Sequence, residues 1–176
     1  MQVRLVRTLG EDVFNHSLKI FKRFAVRAIV RRGDDILLLY TKRYNDFSLP
    51  GGGVHEGEDI YEALHRELKE ETGARDIIIN SEFGMVDEYR PYNRDEYELM
   101  YMRSYIFECE IASTMGAPQM EKHELDNGMT AVWINIHDAI EHNCQVISRD
   151  EKSKGMSIER ETLILKMICN KNVTIE

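Results

Sequence analysis

Residues 51–74 constrain this chain more than any other stretch, because a glycine-rich loop runs straight into a capped helix whose acids lie beside its apolar face. Asp59 is a good N-cap, with Glu62 at capping-box spacing. Gly73 suits the left-handed position that ends a helix. The signals predict a helix over Ile60 to Thr72. On a wheel of about 100° per residue, Ile60, Leu64 and Leu68 fill an arc from about 0° to 80°. Glu67, Glu70 and Glu71 fall between about 280° and 20°, adjoining that arc rather than opposing it. Like charges three and four residues apart repel by a few tenths of a kcal/mol even when exposed, and moving them toward a core raises the penalty. A hard divalent cation removes the conflict, because Mg²⁺ and Mn²⁺ take carboxylate and carbonyl oxygens. The bland alternative is a charged pair facing water; the surrounding pattern argues against it.

Around this segment the elements alternate. Phe24 to Val30 reads as a strand, Gly33-Asp34-Asp35 as a turn and Ile36 to Tyr40 as a buried strand, which together make a hairpin. Asn45 to Gly57, with Pro50 and four glycines, reads as a loop. Strands are expected at Ile77 to Met85, Glu98 to Ile111 and Thr130 to Ile136. A polar loop is expected over Gly116 to Gly128, and Ile158 to Ile168 has helical spacing. The mixed order indicates an α/β or α+β layered domain. At 176 residues the chain has one domain's length. The formal charge of −8 argues against a general nucleic-acid binder, which needs clustered Lys and Arg. Cys109, Cys144 and Cys169 have no metal-like spacing and read as reduced thiols. The first residues lack a signal-peptide core, and no apolar run is long enough for a membrane span. A cytoplasmic protein with no membrane association is expected.

The segment reads Gly52, five residues, Glu58, seven residues, then Arg66-Glu67-Leu68-Lys69-Glu70-Glu71-Thr72-Gly73-Ala74. This resembles the Nudix box, G-x5-E-x7-REUxEExGU with U a bulky aliphatic residue. The one departure is Ala74 at the final U, a position that packs rather than reacts. The entering run ILLLYTKRYNDFSLPGGG, Ile36 to Gly53, is also similar to the family's, with Phe47 where Trp is frequent. The strand order extends the resemblance over about residues 22–168 of a single domain spanning 1–176. The resemblance implies an α/β/α sandwich with a mixed β-sheet.

It further implies a metal-dependent pyrophosphohydrolase that cleaves the diphosphate bridge of a nucleoside diphosphate linked to another moiety X, with Mg²⁺ or Mn²⁺ as cofactor. The substrate would be a small nucleotide: ADP-ribose, a dinucleoside polyphosphate, a nucleotide sugar or a nucleoside triphosphate. By resemblance Glu70 and Glu71 are metal ligands, Glu67 is a ligand or the base, and the Gly51 carbonyl joins the shell. Glu58 and Arg66 orient the carboxylates, while Gly52 and Gly53 let backbone approach metal and phosphate. A further acid from a later loop, Glu121 or Glu124, is expected, with Glu124 preferred for its closeness to the Trp133 strand. Lys42 and Arg43 are phosphate-binding candidates, or solvated strand-end charges. Tyr89 and Tyr92 are candidates to stack on a base. In Tyr89-Arg90-Pro91-Tyr92, a tyrosine would indicate dinucleoside polyphosphates and a proline ADP-ribose; both occur. His65 reads as exposed, and His55 and His123 carry no assigned role. A homodimer is compatible with the resemblance, and no stable nucleic-acid partner is expected. The rival readings are a non-catalytic nucleotide-sensing module and RNA-decapping or isomerase chemistry.

Overall fold

The structure is a computed structural model that describes residues 5–14, 17–150 and 152–171. Its elements are β1 (Leu5–Leu9), a 3-10 turn (Glu11–Val13), β2 (Ile20–Arg32), β3 (Asp35–Thr41), β4 (Asp46–Ser48), α1 (Ile60–Thr72), β5 (Ile78–Arg94), β6 (Tyr97–Glu110), α2 (Lys122–Asp126), β7 (Met129–Asn135), α3 (Ile136–Ser148) and α4 (Ile158–Lys171). Seven described strands form one mixed sheet in the order β1-β5-β6-β2-β3-β4, with β7 on the other side of β3. β1–β5 and β2–β6 pair in parallel, and the remaining pairs are antiparallel.

β3 explains the layering. Its run Ile36-Leu37-Leu38-Leu39 is fully buried, as in a strand covered on both faces. Successive side chains point to opposite faces. Leu37 joins Val26, Ala28, Ala63, Leu64 and Leu68 beneath α1. Ile36 and Leu38 join Ile29, Ile136, Ile164, Leu165 and Ile168 beneath α3 and α4. The sheet is thus sandwiched between α1 and the α3–α4 pair. Burying each such Leu or Ile contributes about 1.5–3 kcal/mol before chain entropy is counted.

Local signals located several elements closely. The Gly33 turn, with φ 62°, closes β2 onto β3 through the Arg32–Asp35 pair. α1 starts and stops where its caps indicate: Asp59 Oδ1 accepts from Tyr61 N at 2.8 Å, and Gly73 at φ 71° donates to the Lys69 carbonyl. Ala74 is buried in the α1 cluster, consistent with a packing position.

Other expectations need correction. The expected loop over Asn45 to Gly57 begins with β4, because Tyr40, Phe47 and His142 pack together and pull Asp46–Ser48 onto β3. β5 runs on to Arg94, beyond Met85, because β6 supplies hydrogen-bond partners along that length. Tyr89 to Tyr92 therefore lie in β5. The Gly116 to Gly128 segment holds α2, started by a reciprocal capping box between Glu121 and Glu124. β1 and α3 are additional to the elements expected from the sequence. α3 follows β7 directly, capped by Asn135, whose side chain accepts from His137 N at 2.9 Å. All three cysteines are free. Among the described residues, no helix is long and apolar enough to cross a membrane.

Candidate active site

The loop between β4 and α1 lies along β2 like an extra strand. Ala28 N donates to the Pro50 carbonyl at 2.9 Å, Val26 N to the Gly52 carbonyl at 3.0 Å, and Val54 N to the Phe24 carbonyl at 3.0 Å. Contact this close requires glycine. Gly51 has φ 137°, and a Cβ there would overlap the Val26 carbonyl oxygen. The approach to the loop is fixed from the opposite layer. Asn143 exchanges two 2.9 Å bonds with the Phe47 backbone, and Leu49 N donates to Glu161 Oε2 at 3.0 Å.

On this loop sits the acidic face of α1. Glu67 and Glu71 are buried, as their place beside the apolar arc requires, whereas the Glu70 side chain is 36% exposed. Glu71 Oε2 accepts from Gly51 N at 2.6 Å. Burial pushes the Glu71 carboxyl well above the usual carboxylate range, and Glu67 and Glu124 push the same way against the Gly51 bond and Arg27. Arg66 ties the rest together. Its Nε and Nη2 grip both Glu58 oxygens at 2.7 and 2.9 Å, Nη1 reaches Glu67 Oε1 at 2.7 Å and Glu70 Oε2 at 3.4 Å, and Nη2 also donates to the Gly53 carbonyl at 3.0 Å. This bidentate grip holds the Glu58 carboxyl down at about 2.

The segment after β6 brings in a fourth acid. Gly116 N donates to the Gly73 carbonyl at 2.6 Å and Gln119 N to the Glu70 carbonyl at 2.7 Å. These bonds fasten the strand-to-α2 connection to the end of α1. Glu124 is then buried in the cleft wall, its Oε2 accepting from Glu121 N at 2.6 Å. Burial raises its pKa first, with Glu121 and Glu67 adding to the shift. Glu121 turns to His123, at 3.1 Å, and both side chains are mostly exposed. His55 and His65 are exposed as well.

The resulting cleft has a volume of about 1160 Å³, room for a nucleotide-sized ligand. Gly51, Gly52, Gly53, Glu67, Glu71 and Glu124 are among the residues that line it. Tyr92 also lines it, stacked on Phe21 with ring centroids 5.2 Å apart. Lys42 and Arg43 are not among the lining residues. They stand exposed on the turn after β3, where Arg43 Nη1 donates to Asn127 Oδ1 at 3.0 Å. Sequence reasoning missed Arg23 and Arg27, which the period-2 alternation of β2 turns into the cleft with Phe21. An arginine every fourth residue in a strand otherwise rich in apolar side chains was the available signal.

These donors suit a hard divalent cation: clustered carboxylates in a buried setting, beside a backbone that a side chain would block. Among the described residues no three such groups are gathered into one coordination sphere. Glu71 is held by a backbone amide, and Glu67 and Glu70 by Arg66.

The chain resembles proteins of several stated activities. It is 40% identical over 76 residues to an RNA pyrophosphohydrolase of Bartonella henselae, covering 43% of this chain and 40% of that one. It is 42% identical over 67 residues to an ADP-ribose pyrophosphatase of Methanocaldococcus jannaschii, covering 35% and 38%. With the nucleoside triphosphatase NudI of Escherichia coli it shares 29% over 106 residues, covering 58% and 71%. The matched segments thus span about two fifths of the first two relatives. Among solved structures, the fold matches a MutT protein from Methanosarcina mazei Go1 with a TM-score of 0.57 at 18% identity, covering 90% of this chain and all of that one. It matches a NUDIX hydrolase from Nitrosomonas europaea with a TM-score of 0.56 at 16% identity, covering 85% and 90%. The NUDIX domain family itself matches residues 21–153, and with the box, the sandwich and the cleft in register, this chain belongs to that family.

Proposed function

We propose that the protein is a metal-dependent pyrophosphohydrolase that cleaves the diphosphate bridge of a nucleoside diphosphate linked to a second moiety. The observation that carries the reading is the buried Glu71, crowded by Glu67 and Glu124 beneath the Gly51–Gly53 backbone. Such a cluster is expensive to hold charged unless a cation joins it. The three relatives named above act, by their names, on different molecules that share a phosphoanhydride bond.

Glu70 and Glu71, with Glu67 and the Gly51 carbonyl, are the groups that would hold Mg²⁺ or Mn²⁺. When bound, the ion neutralises and orients the diphosphate and acidifies water. Gly52 and Gly53 let the substrate lie against backbone. Arg66 orients Glu67 and Glu70. Glu124, raised in pKa and held by its own capping box, would take the proton from the attacking water. Tyr92, backed by Phe21, offers an aromatic surface for a base. Lys42 and Arg43, outside the cleft, are left to contact only a long or flexible substrate tail.

The test incubates purified protein with ADP-ribose, diadenosine polyphosphates, nucleotide sugars and nucleoside triphosphates, each with Mg²⁺ or Mn²⁺. At least one is expected to be hydrolysed, and Glu70→Gln and Glu71→Gln are expected to abolish it. Wild type and variants that are equally active, or a wild type that binds nucleotide without turnover, would sink the assignment.

A further inference from the structure

Most guanidinium groups sunk into this fold have acidic partners. Arg160 is fully buried between Glu88 (2.6 Å) and Glu161 (2.9 Å), Arg103 grips Asp87 with two bonds, and Arg66 grips Glu58. Arg23 and Arg90 do not follow this rule. Among the described residues neither has a carboxylate within ion-pair distance. Among the described residues the one side-chain hydrogen bond of Arg90 is a 3.9 Å contact with Met100 Sδ. Both line one small pocket together with Arg27, Arg160 and the turn Gly155-Met156-Ser157 that leads into α4. The charged side chains that line the pocket are four arginines, Arg23, Arg27, Arg90 and Arg160, of which Arg27 and Arg160 pair with Glu161 and Glu88, on a chain whose net charge is −8.

The pocket adjoins the candidate active site. Arg23, Arg27 and Gly52 line both. The glycine pair forms the ridge between them: a Cβ on Gly52 would meet the Glu67 carboxylate, and one on Gly53 would meet the Arg23 guanidinium at 3.4 Å. The pocket's volume is about 220 Å³, below the range for a nucleoside-sized ligand and suited to a small anion. The N-terminal end of α4 adds its positive dipole. We propose that this pocket is a phosphoryl-binding subsite, taking a phosphate of the substrate other than the one that faces the carboxylates. Partial burial and the repulsion of Arg27 and Arg160 already lower the Arg23 pKa, so an incoming anion relieves a strained cluster.

This inference rests on the hydrolase reading for its substrate, so the test is one that needs no hydrolysis. Tripolyphosphate binding is measured by calorimetry in EDTA, for wild type, Arg90→Gln, Arg23→Gln, Arg90→Lys, Glu71→Gln and the exposed α4 control Lys166→Gln. Wild type is expected to bind one tripolyphosphate. Each Arg→Gln change should weaken it about tenfold, the low end for a lost charge-assisted hydrogen bond. Arg90→Lys should recover part of the loss, and Lys166→Gln should stay within about twofold, the residue of general charge loss. Glu71→Gln should bind at least as well as wild type while losing hydrolysis, which separates the two readings. No binding by wild type, undiminished binding by both Arg→Gln variants, or an equal loss in Lys166→Gln overturns the inference.

Discussion

Gly52→Ala separates the fold from the chemistry. A Cβ on Gly52 would stand 2.5 Å from Glu67 Cδ and Oε1 and 2.6 Å from Oε2, whereas real Cβ contacts stay beyond 3.0 Å. The Glu67 carboxylate must therefore retreat by at least 3.0 − 2.5 = 0.5 Å. It cannot retreat freely, because Arg66 Nη1 holds its Oε1 at 2.7 Å. The displaced atoms belong to a side-chain end rather than backbone, and Gly52 lacks a positive φ, so the fold accepts the methyl group. Removing a glycine also restricts the unfolded chain, which stabilises by about 0.4–1 kcal/mol where the backbone tolerates it. Misplacing a reacting group by about 1 Å costs about 100-fold in rate. At half that displacement the same slope gives about tenfold, so the expected variant melts within a few degrees of wild type and loses at least about tenfold in kcat/KM. Calorimetry and Mg²⁺-dependent hydrolysis of the preferred substrate check both halves. Activity within threefold of wild type, or loss of folding, would refute the reasoning. Gly51→Ala is the contrast: its Cβ meets the Val26 backbone, so the whole loop must move and stability should fall as well.

Arg160→Met removes the cation that bridges two buried carboxylates, leaving Glu161 with Arg27 but Glu88 without its ion-pair partner; breaking such a pair costs about 3–5 kcal/mol, so Tm should fall by roughly 10 °C, and an unchanged Tm would contradict the network. Asp46 is raised to about 6 by burial and by Glu161. A raised folded pKa favours folding with the proton on, so its contribution is intact below about 4 and lost as pH climbs through about 6. Asp46→Asn should therefore match wild type near pH 4 and exceed it near pH 8, by up to about 3 kcal/mol, and denaturant melts that show no pH-dependent gap would reject this. Glu70→Gln should weaken Mn²⁺ binding, read by paramagnetic resonance, about 10- to 100-fold without changing Tm; unaltered affinity would remove Glu70 from the ligand set.

Much of the site was legible because it is local. Asp59, Gly73 and the 3.6-residue period specify α1 from neighbours within a turn, and the placement of Glu67 and Glu71 beside Leu64 and Leu68 follows from the same geometry. The Gly33 hairpin is local too. β4, α2 and α3 were harder. β4 is three residues long and exists because β3 and α3 receive it. α2 is one capped turn in a polar run. The length of β5 is decided by β6, not by its own residues.

By itself, then, the sequence determined the capped helix, the glycine loop before it and the acids beside the helix's apolar face, since each depends on contacts a few residues apart. Tertiary structure alone decided that Glu124 lines one cleft with Glu67 and Glu71 and that Glu161 reaches Leu49 across 112 positions. It also decided that Arg23 from β2, Arg90 from β5 and the α4 turn meet in one pocket. Pairings of that separation are set by sheet order and layer packing, and no local propensity encodes them.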